Sequence, residues 1–221
     1  MVMLTALKLL HALCWVYWLG ADIGTFYAAR FVADRALTPA QRATAAKIML
    51  GIDLAPRICM PLTLASGLNL AALSAGWHLP AAALALVWLA CALWLATVLW
   101  LHHAPRGPQH ARVTLLDFGW RVLLLAVLSA TAAAGFVGAW PLVAPWLALK
   151  LLCFAASVAC GLAIRVHLRP FATAFGALMQ HGATPAGDAQ IALAISRCVP
   201  YVVTIWVLLV VAAGSGLHWW P

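Results

Sequence analysis

The sequence has little charge with which to build a water-facing surface. Only 8% of its 221 residues are charged, Glu is absent, and the acidic residues are Asp22, Asp34, Asp53, Asp117 and Asp188. A soluble domain carries about 25% charged residues, so the shortage excludes a soluble globule. The alternating ten-residue pattern of an outer-membrane barrel is also missing. None of the six cysteines lies in a loop, which argues against a secreted-type disulfide framework. No small-residue cleavage site follows the first apolar stretch, which carries Lys8 and Asp22 and ends at Arg30, so it reads as a retained helix.

What the chain does have is apolar length. Hydrophobic residues make up 66% of it and the mean hydropathy is +1.01. Six spans follow: Leu4 to Ala29, Ile48 to Leu73, Ala81 to Leu101, Val113 to Gly138, Ala144 to Val166 and Ala189 to Gly216. Each exceeds the roughly 20 residues that cross a bilayer core. The expected fold is an all-α polytopic membrane bundle of six transmembrane helices, forming a single domain over residues 1–221.

The net charge of +8 does not point to nucleic acid, because most cations flank the spans. The first connection holds Arg30, Arg35, Arg42 and Lys47, the third Arg106 and Arg112, and the fifth Arg165 and Arg169, whereas the second, the fourth and the C-terminal tail hold none. By the positive-inside rule both termini face the outside, which in a bacterial inner membrane is the periplasm. Trp77, Trp140, Trp146, Trp219 and Trp220 would then form an outer aromatic belt.

A hairpin pseudo-repeat relates spans one and two to spans five and six. Ala6-Leu7-Lys8-Leu9-Leu10-His11 matches Ala148-Leu149-Lys150-Leu151-Leu152-Cys153, and Thr38-Pro39-Ala40 matches Thr184-Pro185-Ala186. Arg57-Ile58-Cys59-Met60-Pro61 is echoed by Arg197-Cys198-Val199-Pro200.

Ionisable groups at membrane depth mark function or internal pairing. Asp53 with Arg57, and Asp117 with Arg121, are spaced i,i+4 and read as structural charge pairs. Arg197 has no such partner on its own helix and calls for Asp22, a backbone carbonyl or an anionic ligand. His11, Trp15, Trp18 and Asp22 share one face of the first span, which must look inward. His11 is the one histidine well inside an apolar span, suited either to an internal hydrogen bond or to haem iron, copper or zinc. Lys8 reads as a snorkelling residue, and Lys150 as that or a functional group. The excess of cations over carboxylates within the spans suits a dianionic ligand such as a porphyrin dicarboxylate.

Leu7-Lys8-Leu9-Leu10-His11, then Trp15, Trp18-Leu19-Gly20 and Ala29-Arg30-Phe31-Val32, resembles the first helix of the bacterial membrane protoporphyrinogen IX oxidase family, which binds haem b. Pro145-Trp146-Leu147-Ala148-Leu149-Lys150-Leu151 resembles that family's third helix, and Arg197-Cys198-Val199-Pro200 its fourth. Copper-resistance D-type membrane domains share the histidine-bearing first helix. The resemblance implies that His11 is the haem ligand, that Lys150 is the essential lysine acting as second ligand or substrate-binding group, and that Arg30 and Arg197 match charged helix ends. The family has four helices and no counterpart of spans three and four, and an Asn-Glu pair usually stands where Arg197-Cys198 does.

The first reading is therefore a haem b protein of the inner membrane, an oxidoreductase or electron relay, with His11 as axial ligand, Trp15 and Trp18 as a dry wall, and Lys150 or Arg197 holding carboxylates. A porphyrin or quinone-like small molecule would be its partner besides the bilayer, with room for a homo-oligomer or partner subunit. The second reading is a copper-handling protein in which His11, Cys14 and Cys153 form a soft site. The third is a non-enzymatic subunit or small-solute carrier. Phe171, Phe175, Leu178 and Met179 in the fifth connection suit an amphipathic segment lying on the membrane or docking a partner.

Overall fold

The structure is a computed structural model that describes residues 2–74, 80–138 and 143–217. Eight helical segments follow one another, and no strand occurs among the described residues: α1 (Val2–Ala33), α2 (Pro39–Ile52), α3 (Leu54–Ser74), α4 (Ala81–His103), α5 (Pro108–Phe136), α6 (Pro145–His167), α7 (Arg169–His181) and α8 (Pro185–Gly216). With α2 and α3 taken as one bent rod, six helices are long and apolar enough to cross a membrane. Their outer faces are apolar, with Leu89, Leu93, Leu115, Leu116, Val127 and Val207 all exposed. Such a surface is unsuited to water and suited to lipid, and the chain is a multi-pass membrane protein.

The second span is interrupted where the sequence reading ran straight through. Pro56 lacks the N–H that would bond the Ile52 carbonyl, and its ring crowds that carbonyl, so the helix breaks at Asp53. Thr38 caps α2 in a reciprocal box with Gln41, and Thr184 caps α8 by accepting from the Gly187 N–H at 3.1 Å. Pro39 and Pro185 occupy first-turn positions that need no amide hydrogen.

The spanning rods pack as a closed ring in the order α3, α1, α8, α6, α5, α4 and back to α3. α1, α8 and α6 are thus successive neighbours in the ring, and α5, α4 and α3 complete the circle. At the end holding the cationic connections, α7 lays Ala174 and Leu178 against Ile191 of α8, with Phe171 stacked on Phe175 at 5.3 Å. The amphipathic segment expected there has its apolar face covered by the chain's own α8, while Met179 stays exposed. Gly182, at φ +84°, ends α7 in a conformation that disfavours side chains.

The same end is fastened by Arg42, fully buried. Its Nε donates to the Val32 carbonyl at 2.9 Å, and its Nη1 pairs with Asp188 at 2.6 Å. Arg42 and Asp188 are each the fourth residue after a capping threonine, so equivalent positions of the two hairpins meet. The Arg-Cys-Pro echo does not share that register. Arg57 lies 19 residues after Thr38 and Arg197 only 13 after Thr184, which puts them on different helix faces. Trp77, Trp140, Trp219 and Trp220 of the expected belt lie outside the described residues.

Candidate functional site

The stripe on α1 faces inward, and each of its members reaches a neighbouring helix. The Trp15 indole donates to the Leu209 carbonyl of α8 at 3.0 Å. Trp18 is buried edge-on against Phe154 of α6, with ring centroids 5.7 Å apart. Asp22 accepts from the Trp206 indole at 2.8 Å, so its carboxylate is engaged by α8 without any contribution from Arg197. The two tryptophans are therefore ties between helices as well as apolar wall.

His11 points at α3. Its Nδ1 lies 2.9 Å from Ser66 Oγ, and the Ser66 hydroxyl donates to the Leu62 carbonyl at 2.6 Å. With that proton directed at the backbone, Ser66 Oγ is left to accept, so His11 carries its hydrogen on Nδ1 and its lone pair on Nε2. The ring also lies against Gly67. A Cβ there would sit 2.9 Å from His11 Cε1, a distance that real side chains do not tolerate. Serine and glycine side by side on α3 hold and admit the imidazole, and sequence reading missed both because neither residue type is informative alone.

Lys150 is half-buried in the first turns of α6, with Nζ 5.4 Å from the Trp146 ring centroid and against Gly216 in the last turn of α8. A cation beside the carbonyl-rich end of a helix is favourably placed. His11 and Lys150 lie within electrostatic reach of each other. Lys8 is exposed, as snorkelling requires.

Three expectations change. Arg197 is exposed, on the part of α8 just beyond the turns that α7 covers, and makes no ion pair among the described residues. It does not join His11. His11, Cys14 and Cys153 do not converge, because among the described residues no group of three His, Cys, Asp or Glu side chains could hold a metal ion. The i,i+4 register that places Cys14 near His11 gives two groups on one helix, and Cys153 on α6 does not supply the third. Asp117 pairs with Arg121 through Nε at 3.0 Å, but Arg165 of α6 also reaches it at 2.6 Å, so the local pair is a three-membered cluster. Asp53 and Arg57 pair on their own rod.

Comparison with protein-family models, curated proteins and solved structures finds no match. The reading of the site rests on the residues themselves.

Proposed function

We propose that this chain is a haem b-binding protein of the bacterial inner membrane, acting as an oxidoreductase or electron relay like the membrane protoporphyrinogen IX oxidases it resembles. The observation that carries the reading is His11, whose Nδ1 is tied to Ser66 so that Nε2 alone is free to bind. Histidines that ligate metals have their other ring nitrogen fixed in this way. The residues present fit the group. His11 would supply a nitrogen ligand to the iron, and Lys150 would hold a carboxylate or supply a second nitrogen. When bound, haem supplies one-electron chemistry whose potential depends on axial ligation and burial.

The chain's own contribution is orientation and exclusion of water. Ser66 and Gly67 hold the imidazole plane, while Trp15 and Trp18 lock α1 to α8 and α6 and keep the face beside His11 dry. By the positive-inside rule the cationic connections face the cytoplasm, which puts His11 and Lys150 in the periplasmic half.

The test is an absorption spectrum of the detergent-purified protein, supplied with haem, oxidised and reduced. We expect a Soret band with reduced α and β bands, lost in His11→Ala. In Lys150→Ala, a changed band would mark an axial ligand, and an unchanged band with weaker haem retention a carboxylate partner. A preparation that stays colourless after haem is supplied refutes the proposal.

A further inference from the structure

A second polar group lies about 9 Å further along α3 than Ser66, toward the cationic end, given six residues of helical rise. Arg121 is 4% exposed and sits where α3, α4 and α5 meet. Its Nε reaches Asp117. Its Nη1 donates to Met60 Sδ at 3.5 Å, a thioether that is a weak acceptor, and its Nη2 has no partner. The guanidinium carbon lies 5.1 Å from the ring centroid of Trp94, which in turn packs edge-on against Trp120 at 6.5 Å. Both indole N–H groups are buried without an acceptor.

Arg121 Nη2 and the two indole N–H groups therefore lack oxygen partners, while Asp117 Oδ1 is the one acceptor of the cluster left buried and unpaired. Guanidinium binds anionic oxygen more strongly than any neutral acceptor, and leaving such a group unmatched at membrane depth is costly. The local charge has the same sense. Arg57 and Arg165 lie within electrostatic reach of Arg121, and three arginines face two carboxylates, Asp53 and Asp117. The cluster is also open to the surroundings, because the side chains of Arg57 and Arg165 are 43% and 27% exposed. Arg57 and Arg165 thus carry the charge of the cluster to the surface, with Arg121 buried behind them.

We propose that Arg121, together with Arg57 and Arg165, forms a binding site for a phosphate group at the cationic end of the bundle. The phosphate belongs either to an anionic lipid headgroup or to a free anion, since both present the same oxygens. The site is separate from His11 and does not depend on haem.

Delipidated protein in detergent is titrated with inorganic phosphate, against chloride at matched ionic strength, and in parallel placed in nanodiscs of phosphatidylcholine with or without phosphatidylglycerol. The readout is the unfolding midpoint. We expect a saturable rise of about 2–4 °C with one of the two probes. A response to phosphate identifies a free anion, and a response confined to phosphatidylglycerol identifies a headgroup. Arg121→Lys removes the fork while keeping the charge, and Arg57→Gln removes the charge of a half-exposed residue. Loss of apparent affinity by about tenfold in either supports the site. No saturable response to either probe, or a response unchanged in both variants, overturns it.

Discussion

His11 and Arg121 meet α3 within two helical turns of each other and are treated in opposite ways. His11 finds a serine hydroxyl whose own proton is already directed at the backbone, and a glycine that leaves room for its ring. Arg121 finds a thioether and an indole face, and part of its guanidinium has no partner at all. In the first case every polar atom but one is matched, so the side chain is held rigid and offers a single lone pair. In the second, donors and one carboxylate oxygen of Asp117 are left unmatched, and arginines outnumber carboxylates three to two. Under the two proposals, matched and unmatched buried groups serve different ligands, an electrophilic iron for the histidine and an anionic oxygen for the arginine.

The largest effect should come from Asp117→Leu. Asp117 is the one carboxylate shared by Arg121 and Arg165, and its loss leaves two cations uncompensated. We expect a destabilisation of about 3–5 kcal/mol, read by denaturant unfolding in detergent, with Asp117→Leu/Arg121→Leu recovering part of it. Full wild-type stability in Asp117→Leu would show that the cluster is already neutralised. Gly67→Val comes next. It forces the His11 ring off α3 and should cost about 1–3 kcal/mol in thermal unfolding and disturb the haem spectrum, while leaving the phosphate response intact.

Ser66→Ala is gentler. An intramembrane hydrogen bond contributes on average about 0.6 kcal/mol, so stability should barely move. Haem affinity should nonetheless fall about 10–100-fold in a haem titration, because the ring loses the partner that sets its tautomer. Arg197→Gln should be smallest, within about 0.5 kcal/mol by differential scanning, with an unchanged spectrum. A spectral change there would return Arg197 to the site from which its exposure removes it.

Much of this architecture was legible in the sequence because hydropathy and period act locally. Six apolar stretches became six spans, and the 4-3-4 spacing on α1 set His11, Trp15, Trp18 and Asp22 on the inward face. What could not be read depends on which helix lies opposite. Asp22 was available to Arg197 by charge, yet it meets Trp206, because α8 turns Trp206 toward α1 and leaves Arg197 exposed. Arg42 read as one loop cation among several, and it is buried on Asp188. Its matching position after Thr-Pro-Ala was the available signal. Pro56 announced the break at Asp53, but apolar length on both sides masked it.

The most direct measurement is chemical rescue of the axial position. His11→Gly, purified and supplied with haem, is titrated with imidazole while the Soret and reduced α bands are followed. If His11 Nε2 is the ligand, the bands are lost in the variant and return with imidazole to wild-type positions. Bands of wild-type position and intensity in His11→Gly without imidazole would place the haem on another residue and contradict the assignment.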